Sequence, residues 1–544
     1  MSKKHFKRKD NCKNIEEVIE RNTGIPYNEF VKKSAPAYIP HMDEAVQTFK
    51  SHASESVYIV GDYDCDGVTA SAIMYLGLKE FGVDSAVLIP RRFTDGYGLS
   101  INIVDRILNH MKSKNENTAV LITVDNGIAA SQAIEKAKEN GLTVIITDHH
   151  LPPVINGEVQ LPLKADVIVD PCAETEMCYQ DYCGAALSYY FISELLGYYN
   201  PNFTVLAGIG TVADVMKLTG PNRTLVKESL SLINNGYGPK GLRALMDALD
   251  KQAVTDSDYG FTFGPIINAA GRLEDTGATK VLATLITGRN VQDLIDNNEL
   301  RKNLVKMHYK KVHDSVGLTR PIVCVADGCG EGVIGLLAGK LTEEYHCPAI
   351  VFTQAKNGLL KGSGRSIPGV HLKNILDVCQ EYIVGYGGHA GAAGLSIKPE
   401  SLESFTNAFV TECNHVHGTE DYSITEVEFD LALEDKYLSD LSKYLISLAP
   451  FGEGNPKIRF LTKISDLSSL KRIGDGSHIM IRNDTYTAMG FGFADEFYQE
   501  LKKAQEQNNN DSCYVVGTVE VEYFRGYANT KLHISDFTFE KVEL

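Results

Sequence analysis

Three carboxylates alternate in Gly61-Asp62-Tyr63-Asp64-Cys65-Asp66-Gly67. One aspartate there could cap a following helix or close a turn. Neither role needs three, and carboxylates this close repel one another until a cation lies among them. The run imitates the opening of an EF-hand calcium loop, but the twelfth position from Asp62, where that loop needs a glutamate, is Ile73, and the segment follows a predicted strand. Acids also end three further apolar runs: Thr123-Val124-Asp125-Asn126-Gly127, Thr147-Asp148-His149-His150 and Gly210-Thr211-Val212-Ala213-Asp214. A lone histidine is more often a surface or core residue. Two behind an aspartate, beside acids from other segments, suit imidazole ligation of a metal with Asp148 orienting a ring. The mixed oxygen and nitrogen donors favour Mn²⁺ or Mg²⁺ over structural zinc.

Such residues must be brought together by the elements that precede them. Val57–Val60, Ala119–Val124 and Leu142–Thr147 are short continuous apolar runs, predicting parallel strands buried on both faces. Val167–Val169, leading into Asp170, is a fourth. Ligands in open α/β sheets bind beyond the carboxyl ends of the strands, which is where each acid stands. A helix is expected from Val68 to Phe81. A more helical region spans 184–315, with Leu300, Leu304 and Met307 at the spacing of a long connecting helix. A second α/β unit, with strands at Ile322–Val325 and Ala349–Phe352, occupies about 321–399. Alternation in Val519–Tyr523 and Leu532–Phe537 then predicts half-exposed strands of a small OB-like β-barrel.

At 544 residues the chain is expected to form three or four folded units, and 43% apolar with 23% charged residues is the balance of a globular protein. The formal charge of −17 excludes a protein that coats nucleic acid through an all-over positive field, though an enzyme that meets phosphate through metal ions carries positive charge outside the sequence count. The basic Met1–Lys9 stretch is not followed by an apolar run, so no secretory signal is read, no segment is long enough to span a bilayer, and a cytoplasmic location is expected. Eleven cysteines without a CxxC pair read as reduced thiols, and Cys172, Cys178 and Cys183 are too irregular for a zinc site.

These motifs resemble the DHH phosphoesterase superfamily, named for the triplet Asp148-His149-His150, over most of the chain. Asp62–Gly67, Val124–Gly127 and Ala213-Asp214 resemble its first, second and fourth motifs. Gly362-Ser363-Gly364-Arg365-Ser366 and Gly387–Gly394 resemble the DHH-associated domain, whose glycines let backbone approach phosphate. Arg91-Arg92-Phe93 with Asp95–Ser100, Asn268–Leu273 and Pro450-Phe451-Gly452-Glu453-Gly454-Asn455-Pro456 are similar to RecJ-like members. One departure is Cys329-Gly330-Glu331 where the family commonly has a Trp-His pair; the chain has no tryptophan.

The resemblance implies a helical lead-in (1–50), a parallel-sheet DHH domain (51–235), a helical connector (236–316), a smaller α/β DHH-associated domain (317–415) and an OB-like β-barrel (420–544). It implies two Mn²⁺ or Mg²⁺ ions held by Asp64, Asp66, Asp125, His149 and Asp214, with Asp125 as the bridge and Asp62 completing one shell, and His150 facing the scissile phosphate. Arg365, Ser366, Gly388 and His389 are expected to grip substrate phosphates across a cleft that admits only a single strand, with Arg223 and Arg272 nearby. Tyr523, Phe524, Arg525 and Tyr527, in a predicted hairpin, are candidates for stacking bases. The expected activity is a 5′-to-3′ exonuclease of single-stranded DNA in repair and recombination, with a single-stranded-DNA-binding protein and a helicase as partners and no membrane. Two other functions stay open: a phosphodiesterase of short oligonucleotides or cyclic dinucleotides, and an inert replication factor.

Overall fold

The computed structural model describes residues 3–92, 94–155, 157–174, 177–317, 319–418, 422, 424–506, 512–524 and 527–542. By its internal contacts the chain divides into one unit comprising residues 6–267, 278–291 and 426–544, and another comprising residues 1–5, 268–277 and 292–425.

The first unit holds a five-stranded sheet in the order Ser85–Leu88, Ser56–Val60, Ala119–Val124, Leu142–Thr147, Val167–Val169. Every pairing is parallel. All six residues of Ala119–Val124 are buried, as its unbroken apolar character requires of a central strand covered on both faces. On one face pack Ile101–Lys114 and Ser131–Glu139, through Ile103, Ile107 and Ile134 against Leu121 and Val144. Gly184–Leu196 and Pro201–Ala213 are strongly apolar and mostly buried, and pack against the helix Cys65–Phe81. Gly77 lies so close to Ile192 that a Cβ there would stand 2.4 Å from its side chain.

The helix expected from Val68 starts at Cys65. Asp64 caps it, its carboxylate accepting from Gly67 N at 3.0 Å, and this folds Cys65-Asp66-Gly67 into the first turn.

A seven-stranded mixed sheet completes this unit, in the order Leu431–Glu434, Arg459–Ile464, Cys513–Phe524, Tyr527–Thr538, Thr487–Gly490, His478–Arg482, Lys471–Ile473. Its core includes Val18, Ile19 and Phe30 from the helices Ile15–Thr23 and Tyr27–Phe30. The predicted lead-in is therefore no separate element: its first helices are part of the C-terminal domain, tied by an Arg21–Asp430 ion pair, while Met42–Ser51 packs through Phe49 on Phe191.

The other unit carries a five-stranded sheet in the order Ile383–Gly388, Ala392–Ile397, Leu360–Arg365, Ala349–Gln354, Ile322–Val325, of which only the last pair is parallel. Leu402–His417 covers one face through Phe405 and Phe409. Glu331–Tyr345 and the long helix Val291–Ser315 contribute Leu337, Leu341, Val305 and Val312 to the other core. The long helix matches the expectation; Leu300 and Met307 are exposed on it, while Leu294, Val305, His308 and Val312 are buried. Apolar residues on this helix exceed what its neighbours cover, and spacing alone does not choose among them.

Candidate metal centre

Strand register brings the acids to one level. Val60 pairs with Thr123, Val124 with Thr147 and Thr147 with Val169, so the chain leaves four adjacent strands side by side, at Gly61-Asp62, Asp125, Asp148 and Asp170. Backbone bonds continue the ladder past the strand ends, from Asp125 N to Thr147 O (2.9 Å) and from Asp148 N to Val169 O (3.0 Å). Asp125 itself has φ 61°, a left-handed conformation that aspartate and asparagine tolerate better than most residues.

Around that edge the donors converge. His149 Nε2 lies 3.1 Å from Asp125 Oδ1, 3.5 Å from Asp214 Oδ2 and 3.7 Å from Asp66 Oδ2. Three groups have ligand atoms all within 4.8 Å of one another: Asp66, His149 and Asp214; Asp62, Asp64 and Asp125; Asp125, His149 and His150. Asp66 is further held by the start of the helix Gly184–Leu196, accepting from Gly184 N (2.7 Å) and Ala185 N (2.9 Å), where the helix dipole favours a carboxylate. Glycine is needed there, since a Cβ on Gly184 would stand 2.4 Å from Asp125 Cβ and one on Gly210 2.7 Å from Asp66 Oδ1.

The electrostatics fit cations. Burial and the Asp64 charge push the Asp62 carboxyl well up, and burial with Asp66 and Asp64 does the same to Asp125. Asp214 is pushed up to about 8 by burial and then by Asp66 and Asp64. Asp62 Oδ1 is buried without a hydrogen-bond partner among the described residues. A buried set of repelling carboxylates with an orphaned oxygen is what divalent ions relieve, so the residues present fit a metal pair.

Asp148 has a different part. Buried beneath the donors, it accepts from Ile128 N (2.9 Å), His149 N (2.8 Å), His150 N (3.2 Å) and His150 Nδ1 (2.7 Å). Burial lowers the His150 imidazole, but the bond to Asp148 and its charge overcome this and bring it to about 9. His149 is pushed down by burial and stays neutral. His150 Nε2 meets the Tyr97 hydroxyl at 2.9 Å, and Tyr97 donates on to Asp125 O at 3.3 Å. The loop bearing Tyr97 is pinned by Leu99 N to Asn126 Oδ1 (3.0 Å). Sequence reasoning singles out the Asp95–Ser100 segment but gives Tyr97 no role, and it passes over Gly184. A glycine opening an apolar helix is the only signal for the second.

The remaining candidates are distributed. Arg365 ends its strand opposite Ala392, half-buried, with Nη1 on Gly364 O at 2.8 Å. Ser366 Oγ donates to Val370 O (2.7 Å), and exposed His389, following Gly388, donates from N to Ala392 O (2.8 Å). Register thus sets Arg365, Ser366, Gly388 and His389 at one end of their sheet. Arg272 Nη1 reaches Gly332 O at 3.5 Å in the same unit. Arg223 corrects the expectation: it is buried against the Phe30 ring, and its Nη1, donating to Leu448 O (2.8 Å) and Pro450 O (3.4 Å), fastens the C-terminal domain. Arg525 and the Tyr523, Phe524 and Tyr527 side chains lie outside the described residues.

Residues 56–213 match the DHH family, N-terminal domain, 319–414 the DHHA1 domain and 429–536 the RecJ OB domain. The chain is similar to the single-stranded-DNA-specific exonuclease RecJ of Salmonella typhimurium, with 33% identity over 68% of each chain. It is similar too to that of Haemophilus influenzae, with 31% identity over 74% of each. Among solved structures, RecJ from Thermus thermophilus in complex with Mn²⁺ superposes with a TM-score of 0.79 at 24% identity, covering 97% of this chain and 76% of that one. An exonuclease RecJ bound to manganese gives 0.58 at 28% identity, covering 69% and 95%. No helix among the described residues is long and apolar enough to cross a membrane.

Proposed function

Because this chain belongs to the RecJ family of DHH phosphoesterases, we propose that it is a divalent-metal-dependent exonuclease that degrades single-stranded DNA from the 5′ end. One observation carries the reading: the donor groups overlap, with Asp125 and His149 each belonging to two of them. Asp66, His149, Asp214 and Asp125 would hold one ion, and Asp62, Asp64 and Asp125 the other. When bound, a pair of Mn²⁺ or Mg²⁺ ions supplies an activated water and neutralises charge building on the phosphate.

The protein's own residues prepare the rest. Neutral His149 offers Nε2 as a donor among the carboxylates. Asp148 holds His150 through Nδ1 and the Tyr97 hydroxyl meets its Nε2, so the ring is fixed, and its raised imidazole would bring positive charge beside the scissile phosphate. Tyr97→Phe removes the hydroxyl that fixes the His150 ring at Nε2, and loss of about 1.4 kcal/mol of positioning lowers kcat about tenfold, with Mn²⁺ affinity nearly unchanged. Single-turnover rates on a 5′-labelled oligonucleotide check this, and an unchanged rate removes Tyr97 from the site.

Arg365, Ser366, Gly388 and His389 hold substrate phosphates in this proposal. On the C-terminal domain, half-exposed Phe491 stacks on His533 (ring centroids 6.1 Å apart, 18° between planes) and meets His478 edge-on, a surface on which bases can stack for about 1–3 kcal/mol each. On this reading the enzyme works in the cytoplasm in DNA repair and recombination, beside a single-stranded-DNA-binding protein and a helicase. The test is digestion with Mn²⁺ of a long single strand labelled at either end, its duplex, and a dinucleotide. Release of the 5′ label first, from the single strand only, is expected; cleavage of the dinucleotide alone would indicate a short-substrate phosphodiesterase, and cleavage of none of them an inert protein.

A further inference from the structure

The segment Pro450–Pro456 stands out in the sequence and takes no part in the metal centre, yet it lies against the chain that follows Asp214. The helix Pro201–Ala213 ends with Val215 N on Val212 O (3.2 Å) and Met216 N on Thr211 O (3.1 Å), and this puts Val215 at φ 58°. Helices that stop this way take glycine at the left-handed position, whereas a β-branched residue is strained there and stays only if its surroundings over-determine it. Val215 is 65% exposed, so its own packing does not hold it.

The chain just beyond it is tied down. Leu218 N donates to Glu453 O at 2.7 Å. A Cβ on Gly452 would meet Leu218 Cδ1 at 2.8 Å, and one on Gly454, itself at φ 72°, would meet Lys217 Cβ at 3.2 Å. The loop is rigid in turn: Gly452 and Asn455 exchange backbone bonds (3.0 and 3.2 Å), Asn455 Nδ2 donates to Pro450 O (2.8 Å), Arg223 grips Leu448 O, and Phe451 N is bonded to the Asp256 carboxylate.

We propose that residues 450–456 are a positioning strut for Asp214, so that the C-terminal domain tunes metal binding as well as carrying a base-stacking surface. The inference rests on the metal-dependent reading above. It is tested on the full chain by titrating Mn²⁺ and following free ion by electron paramagnetic resonance, for Gly452→Val, Gly454→Ala and each combined with Val215→Gly. Each glycine variant is expected to bind Mn²⁺ about tenfold more weakly and to lose kcat with KM for single-stranded DNA unchanged, and Val215→Gly to recover most of both. Wild-type Mn²⁺ affinity in the glycine variants, or loss that Val215→Gly does not repair, overturns the strut. Should Gly452→Val fail to fold, Gly452→Ala, which adds only a Cβ 2.8 Å from Leu218 Cδ1, decides in its place. Absence of Mn²⁺ binding by the unaltered chain would instead overturn the metal centre itself.

Discussion

Asp125→Asn lowers turnover on single-stranded DNA by at least ~10³-fold, as loss of several kcal/mol of metal-borne stabilisation requires, while raising the melting temperature of the metal-free protein. The two effects share a cause. Asp125 is where both donor sets meet, and in the absence of ions its charge is opposed by burial and by Asp66, Asp64, Asp62 and Asp214. An amide keeps the shape and tolerates the left-handed backbone at φ 61°. It removes the charge that makes the pocket costly without cations. About 1 kcal/mol recovered moves the midpoint by roughly 2–4 °C in a domain of this size. Thermal melts in chelator beside nuclease rates in Mn²⁺ measure both, and a variant that loses stability without ions contradicts the repulsion argument.

Chelation should lower the melting temperature of the unaltered chain, and more at pH 8 than at pH 5. Ions at about 100 times their dissociation constant contribute about 2.7 kcal/mol to the folded state. In metal-free protein, Asp214 titrates at about 8 against an unfolded value near 3.9, and Asp62 and Asp125 are raised as well. A carboxyl raised by folding favours the folded state at low pH, and that contribution is lost as pH climbs from about 4 through about 8. Ion binding runs the other way, because the ligands must be deprotonated. The gap between melts with Mn²⁺ and with chelator therefore widens with pH, and a gap independent of pH would mean that these carboxyls are not the ligands.

The centre was legible because strands buried on both faces announce themselves as unbroken apolar runs, and the residue after each one then has a fixed place. Asp62, Asp125, Asp148 and His149 could be placed beside one another from sequence for that reason. Arg223 could not: an arginine near a phosphate site and one fastening two domains have the same local sequence, and the Leu448 carbonyl it holds lies 225 residues away. The buried face of Val291–Ser315 and the partner of Ile15–Thr23 were hidden likewise, since each is decided by which distant surface arrives. Tyr97 is intermediate, lying in a segment the sequence marked but aimed at His150 only once Asn126 pins its loop.

That the first helices bury Val18, Ile19 and Phe30 in the last domain bears on how the protein is made. The ion pair joining them spans 409 positions, so at ribosomal speeds of about 5–20 residues per second the amino-terminal helices emerge roughly 20–80 s before Asp430 does. For that interval their apolar faces have no home. A nascent chain halted before its closing sheet would carry them uncovered, which makes unfinished copies natural clients for chaperones and proteases, and makes full-length synthesis a condition for a clean amino terminus.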